Sequence, residues 1–202
     1  MITFQEVKYT IRNITIFKNI SITILPSAII YLTGNEKSGK TSLLRMIAGI
    51  QSPTNGRIYH RFVNKPHCVY IGHELGVNPQ MTVFENLKFC SEIYDSLETL
   101  EASIHYFKLQ NILDIKCYKL SKSELIKVSL SKLISCQSNI WLLDEVESNL
   151  DIDKETKDLL QNLILSKANS GGIVLITTKY GKSIESAQVL NILDYNVNAA
   201  RQ

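Results

Sequence analysis

The residues best placed to do chemistry begin at position 34, where the chain reads GNEKSGKT through position 41. This spacing fits G-x-x-x-x-G-K-[ST], a pattern whose backbone N–H groups form a positive concavity for phosphate oxygens. In this reading Gly34, Asn35, Glu36, Lys37, Ser38, Gly39, Lys40, Thr41 and Ser42 surround the phosphates of a nucleotide. Lys40 reaches the terminal phosphates, and Thr41 places its hydroxyl on Mg²⁺. Two positions sit awkwardly. Glu36 brings negative charge toward anionic phosphates. Lys37 carries a Cβ where such loops often have Gly, at a cost on the order of 1 kcal/mol if the backbone is left-handed there.

A second cluster follows at Asp144-Glu145, directly after the apolar residues IWLL at 140–143. An aspartate ending a buried strand is well placed to hold Mg²⁺, which makes Thr41 and Asp144 the predicted metal ligands. Glu145 is then positioned to polarise a water for attack on a terminal phosphate.

These groups need a scaffold. Residues 28–33 (AIIYLT), 140–143 (IWLL) and 173–177 (IVLIT) are short apolar runs of the kind found in parallel strands buried on both faces. Leu43, Leu44, Ile47 and Ala48 share one helical face after the first of them. A helix is expected over 151–168, with Leu159, Leu160, Leu163 and Ile164 inward. Buried strands alternating with helices predict an α/β fold with a parallel sheet. Residues 3–9 and 14–25 alternate in the β manner instead, and 83–134 read as helices.

Composition narrows the functional classes. The chain has 202 residues with 45% hydrophobic and 20% charged, which suits one globular domain. A net charge of +3 without a basic block gives no footprint for nucleic acid. Cys68, Cys90, Cys117 and Cys136 form no CxxC pair, so reduced thiols are expected. The N-terminus lacks the pattern of a signal peptide, and no apolar run reaches the roughly 18 residues of a membrane span. His60, His67 and His105 are scattered, and Trp141 is expected in the core.

Taken together, the motifs resemble those of the ATP-binding subunits of ABC transporters, in the family's order and over nearly the whole chain. Residues 34–41 resemble Walker A, and 140–145 resemble Walker B with its glutamate. LSKSE at 120–124 falls at the signature, SNLD at 148–151 at the D-loop, and Thr177-Thr178-Lys179 at the switch histidine. His73 falls at the Q-loop glutamine, nine residues before Thr82, and TVFENL follows at 82–87. The resemblance implies a P-loop NTPase (RecA-like) parallel-sheet core with an antiparallel β region and an inserted helical subdomain. It makes 1–202 a single ATP-binding domain, with the insertion at about 83–134. It implies ATP and Mg²⁺ as cofactors, and catalytic roles for Glu145, Lys179 and His73. One chain carries one Walker A and one signature, so two copies must pair head to tail, and Ser121 of one copy then contacts the nucleotide of the other.

YIGHELG at 70–76 and MTVFENLKF at 81–89 are similar to the branch of the family that serves cytochrome c maturation. That likeness implies a haem exporter with integral membrane partner subunits. The chain would then be peripheral, on the cytoplasmic face of a bacterial inner membrane.

Several positions depart from the family pattern. Lys122, Ser123 and Glu124 replace two glycines and a glutamine, yet Ser121 and Glu124 still make an S-x-x-E capping box for a helix over about 122–135. Lys179 replaces the switch histidine and so lacks a preorganised donor, which predicts slow hydrolysis. Val146 replaces a proline. Ile11 falls where the family stacks an aromatic on adenine, with Tyr9 and Phe17 nearby. The altered signature and Lys179 keep a slow or non-hydrolysing nucleotide-binding scaffold as an alternative, and a motor for a different cargo is another, since haem rests on the branch likeness alone. A chromosome-architecture protein of the same P-loop class would insert long heptads, which are absent here.

Overall fold

A computed structural model describes residues 1–61, 68–72, 74–136, 138–146, 152–178 and 181–196. The N-terminal alternation forms an antiparallel sheet. Its central strand β1 (Ile2–Ile11) pairs with β2 (Ile14–Ile20), with β3 (Thr23–Ile24) and with a later strand. The chain then enters the parallel sheet through β4 (Ile29–Thr33) and turns directly into helix α1 (Lys40–Ile47). It returns to the antiparallel sheet as β5 (Asn55–His60), which pairs with β1.

The parallel sheet contains β4, β6 (Cys68–Ile71), β7 (Ile140–Asp144), β8 (Ile173–Thr177) and β9 (Gln188–Asn191), in the order β6-β7-β8-β4-β9. Between β6 and β7 the chain makes α2 (Val83–Ile93), α3 (Leu100–Tyr106), α4 (Lys122–Leu130) and α5 (Lys132–Ser135). Helix α6 (Lys154–Asn169) joins β7 to β8.

The period-2 geometry of the parallel strands divides the interior in two. Ile30, Leu32, Ile140, Leu142, Ile173 and Leu175 face α1 and the antiparallel sheet, packing with Phe4, Phe17, Leu43 and Leu44. Tyr31, Ile71, Trp141, Leu143, Val174 and Ile176 face the other way, toward Leu160 and Ile164 of α6 and the helices of 83–135. A sheet covered on both faces explains why IWLLD and IVLIT are buried throughout.

Several elements differ from the sequence reading. Helix α6 starts at Lys154, because the Asp153 side chain accepts from the Thr156 N–H and caps it there. Within it Leu160 and Ile164 are fully buried, whereas Leu159 and Leu163 are partly buried. The helix expected over 122–135 is broken at Ser131, whose hydroxyl donates back to the Val128 carbonyl at 2.6 Å. β5, β6 and β9 are further strands with weak local patterns. Phe17 is fully buried and Tyr9 packs against it, ring centroids 5.7 Å apart, so both belong to the core. Trp141 is buried as expected, and the four cysteines are free thiols. His60 lies on β5 and His105 on α3, while His67 lies outside the described residues. Among the described residues no helix is long and apolar enough to cross a membrane.

Candidate functional site

The phosphate loop forms because β4 ends where α1 must start. Gly34 (φ 145°) and Gly39 (φ 101°) bracket the turn. A Cβ on Gly39 would stand 2.9 Å from Phe17 Cε1, and one on Gly34 would stand 2.6 Å from Ile192 Cγ2. Lys37 is left-handed at φ 60°, the strained conformation anticipated for that position. Gly39 offers no capping side chain, and no acid lies in the first turn of α1, so the helix N-terminus keeps its donors and positive end for an anion.

Lys40 is buried and turned back on the loop, its Nζ donating to Gly34 O at 2.7 Å and Asn35 O at 2.9 Å. Ser38 Oγ is buried with no hydrogen-bond partner among the described residues. An orphaned hydroxyl inside a loop of N–H donors fits a phosphate group. A cavity of about 400 Å³ opens over the loop, lined by Glu36, Lys37, Ser38, Lys40, Thr41 and Ser42 and reaching Glu145. Ile11 and Ile16 form its apolar wall, which puts Ile11 beside the phosphate loop.

The acidic pair arrives from β7. Thr41 Oγ1 donates to Asp144 Oδ1 at 3.1 Å, across 103 positions of sequence. Thr177 Oγ1 donates to the same oxygen at 2.7 Å, and Tyr70 OH donates to Oδ2 at 2.9 Å. Glu145 bends away from the strand at φ 58°, its N–H donating to Thr177 Oγ1 at 2.8 Å. Burial and the Asp144 carboxylate push the Tyr70 phenol up to about 12. The phenol beside it raises the Arg45 guanidinium as well. A second cavity of about 390 Å³ is lined by Thr41, Arg45, Tyr70, Asp144 and Glu145. Glu145 therefore lies between the two cavities, and the hydroxyl-plus-carboxylate pair of Thr41 and Asp144 is an oxygen donor set suited to Mg²⁺.

Ser121 lies elsewhere. It caps α4, accepting from the Glu124 N–H at 3.3 Å while its own N–H and hydroxyl donate to Glu124 Oε2 at 2.8 and 2.7 Å. These bonds hold the Glu124 carboxyl below its usual range. Ser123 donates to Asp153 at 2.7 Å, fastening the signature segment to the start of α6. Ser121 does not line the phosphate-loop cavity of its own chain. His73, Lys179 and the D-loop at 148–151 lie outside the described residues.

Tyr70, Thr177 and Arg45 are the members that the motifs do not announce. The local hint for Thr177 is one hydroxyl at the end of an aliphatic run, and for Tyr70 a phenol within CVYI.

A parallel sheet whose strand ends gather a phosphate loop, an aspartate and a glutamate defines a P-loop NTPase. The ABC transporter family model matches residues 17–148. The chain belongs to the ABC transporter ATP-binding family. It is 56% identical over 197 residues to the Rickettsia bellii protein named cytochrome c biogenesis ATP-binding export protein CcmA, covering 95% of this chain and 100% of that one. The protein of that name from Rickettsia typhi is 52% identical, covering 95% and 98%. The one from Wolbachia pipientis is 34% identical, covering 88% of each chain. Among solved structures, an ABC transporter ATP-binding protein from Pyrococcus furiosus superposes with a TM-score of 0.80 at 21% identity, covering 96% and 98%. An ATP-binding cassette bound to ADP and Pi, in a dimeric post-hydrolysis state, superposes with a TM-score of 0.74 at 18% identity, covering 88% of each. Both share the fold.

Proposed function

We propose that this chain is the ATP-hydrolysing motor of a membrane exporter serving cytochrome c-type biogenesis, with haem as its cargo. It is an ATP-binding subunit of the ABC family. The branch rests on the 52–56% identity to proteins named for cytochrome c biogenesis export, at nearly full coverage. The alternatives of a silent scaffold or another cargo have no such support.

The observation that carries the motor reading is the Thr41–Asp144 contact beside Glu145, at the mouth of an uncapped α1. Residues 34–42 bind the phosphates, with Lys40 exchanging two loop carbonyls for phosphate oxygens. Thr41 and Asp144 would hold Mg²⁺, which when bound neutralises phosphate charge and orients the group under attack. Glu145 takes the proton of the attacking water. Ile11 and Ile16 offer the base an apolar wall, which favours ATP without excluding GTP.

We take 1–202 as one ATP-binding domain, with the helical subdomain of about 83–134 inserted between β6 and β7. Ser121 serves a second copy in a head-to-tail homodimer. Lys179 stands in for the switch histidine. His73 passes the nucleotide state to integral membrane subunits at the cytoplasmic face of the inner membrane.

Purification from detergent-solubilised native membranes tests the assignment. Multi-span proteins of cytochrome c maturation should accompany the tagged chain, and the complex should hydrolyse ATP in a way that Glu145→Gln abolishes. Recovery with unrelated permeases would overturn the cargo. Turnover indifferent to Glu145→Gln would overturn the catalytic assignment.

A further inference from the structure

Asp144 is held from two flanking strands as well as from the phosphate loop. Tyr70 is the third residue of β6 and stands opposite Leu142 of β7, while Thr177 ends β8 directly opposite Asp144. The strand order β6-β7-β8 thus puts a hydroxyl on each side of the carboxylate. Neither hydroxyl is accounted for by packing. Thr177 is fully buried after Ile-Val-Leu-Ile, where a valine of the same shape would avoid burying a polar atom. Its Oγ1 instead donates to Asp144 Oδ1 and accepts the Glu145 N–H.

Tyr70 is used in the same way. Its OH donates to Asp144 Oδ2, and Arg45 of α1 lines the same cavity as the phenol. Room for this comes from Gly72, where an added Cβ would stand 2.7 Å from Tyr70 OH and 2.8 Å from Tyr70 Cε1. Gly72 does not have a left-handed backbone, so space for the phenol is a better account of it than conformation.

We infer that Tyr70 and Thr177 are positioning residues of the metal-binding carboxylate, Tyr70 orienting Asp144 for its cation and Thr177 coupling that carboxylate to the backbone of Glu145. The inference rests on the motor reading of this site. A lone carboxylate on a short side chain turns about its terminal bond. With Oδ2 held by Tyr70 and Oδ1 held by Thr177, it is fixed before a ligand arrives. Thr41 must give up its own bond to Oδ1 to present a lone pair to a cation, whereas the bonds from Tyr70 and Thr177 can persist. Glu145 takes a left-handed conformation that side chains resist, and Thr177 anchors its N–H. Residues that orient a metal ligand usually change metal affinity or activity by tenfold or more when removed.

The test uses the full-length protein as wild type and as Tyr70→Phe, Gly72→Ala, Thr177→Val and Thr177→Ser. The readouts are Mn²⁺ binding by electron paramagnetic resonance with a non-hydrolysable ATP analogue, affinity for a fluorescent ATP analogue in EDTA, and turnover at saturating metal. Tyr70→Phe should weaken Mn²⁺ about tenfold and leave affinity in EDTA unchanged. Gly72→Ala should do the same by displacing an intact phenol. Thr177→Val should lower turnover about tenfold with KM for ATP unchanged, and Thr177→Ser should restore it. Wild-type Mn²⁺ affinity in Tyr70→Phe, or wild-type turnover in Thr177→Val, would overturn the inference for that residue. Equal losses in Thr177→Val and Thr177→Ser would also overturn it, because the hydroxyl would not be the cause. A wild-type protein that binds neither the analogue in EDTA nor Mn²⁺ with nucleotide would overturn the motor reading itself.

Discussion

The two ends of the nucleotide machinery are built in opposite ways. Around residues 34–41 the helix N-terminus and one hydroxyl await a ligand. The N-terminus of α1 has no side-chain cap, and Ser38 Oγ is buried without a partner among the described residues. Around residues 121–124 the same kinds of group are already engaged. The Ser121 N–H and hydroxyl both donate to Glu124, and Ser123 is tied to Asp153. A carboxylate held charged by those bonds stands where a partner's phosphate is expected to approach. The helix N-terminus and the Ser38 hydroxyl are therefore arranged in advance, with Lys40 and Thr41 exchanging bonds when a ligand enters, while the signature half has to release the bonds of both Ser121 and Ser123. In the proposed head-to-tail pair, affinity for nucleotide would reside in one half, and the coupling of two copies would be limited by the other.

The largest expected effect concerns the switch position. Lys179→His should raise turnover by about 10², because a fixed donor to the transition state replaces a flexible point charge. Steady-state kinetics at saturating ATP checks this, and an unchanged rate would move the bottleneck to the signature segment. Next is the integrity of the arranged half. Gly39→Ala forces a Cβ against Phe17 and Ile16 in a left-handed backbone, and should cost about 2–3 kcal/mol, read by urea unfolding. A loss well below this would mean that β2 yields easily and that the loop is not held rigid in advance.

A smaller effect is expected from the engaged half. Glu124→Gln removes the negative charge and leaves a weaker, neutral acceptor for the Ser121 hydroxyl, and should raise turnover up to about tenfold while leaving nucleotide affinity of the single chain unchanged. A change in single-chain affinity would break the separation of roles. Lys37→Gly relieves a left-handed side chain and should stabilise the fold by about 0.5–1 kcal/mol, visible as a shift of a few degrees in Tm.

The last prediction concerns acid. The Thr156 N–H and the Ser123 hydroxyl hold the Asp153 carboxyl well below its usual range. A carboxyl with a depressed folded-state pKa contributes stability above its unfolded value, near pH 4, and loses it as pH falls further. Asp153→Asn should flatten that part of the stability curve between about pH 4 and pH 2 in urea titrations. A parallel curve would mean that the tie between the signature segment and α6 carries little energy.

Much of this was legible because the information is local. A short apolar run, then a glycine and a lysine at fixed spacing, announce a strand, a turn and a helix start around residue 34. The capping box at Ser121 and Glu124 is an i, i+3 relation that the structure reproduces. The buried runs at 140–143 and 173–177 became β7 and β8 with nearly the expected limits. Strands β6 and β9 were not legible, because four residues such as CVYI or QVLN acquire their strand character from neighbours already in the sheet. The break at Ser131 was missed for a similar reason, since a back-bonding serine is common within helices and bends only some of them.

By itself the sequence determined which residues can bind phosphate, which can hold a cation and which can take a proton, because those properties belong to residue type and short spacing. The tertiary structure alone decided that Tyr70 and Thr177 share the Asp144 carboxylate. Tyr70 lies 74 positions before Asp144 and Thr177 lies 33 after it, separations that no local period encodes. What joins them is the order of three parallel strands, set by burial of the sheet's two faces.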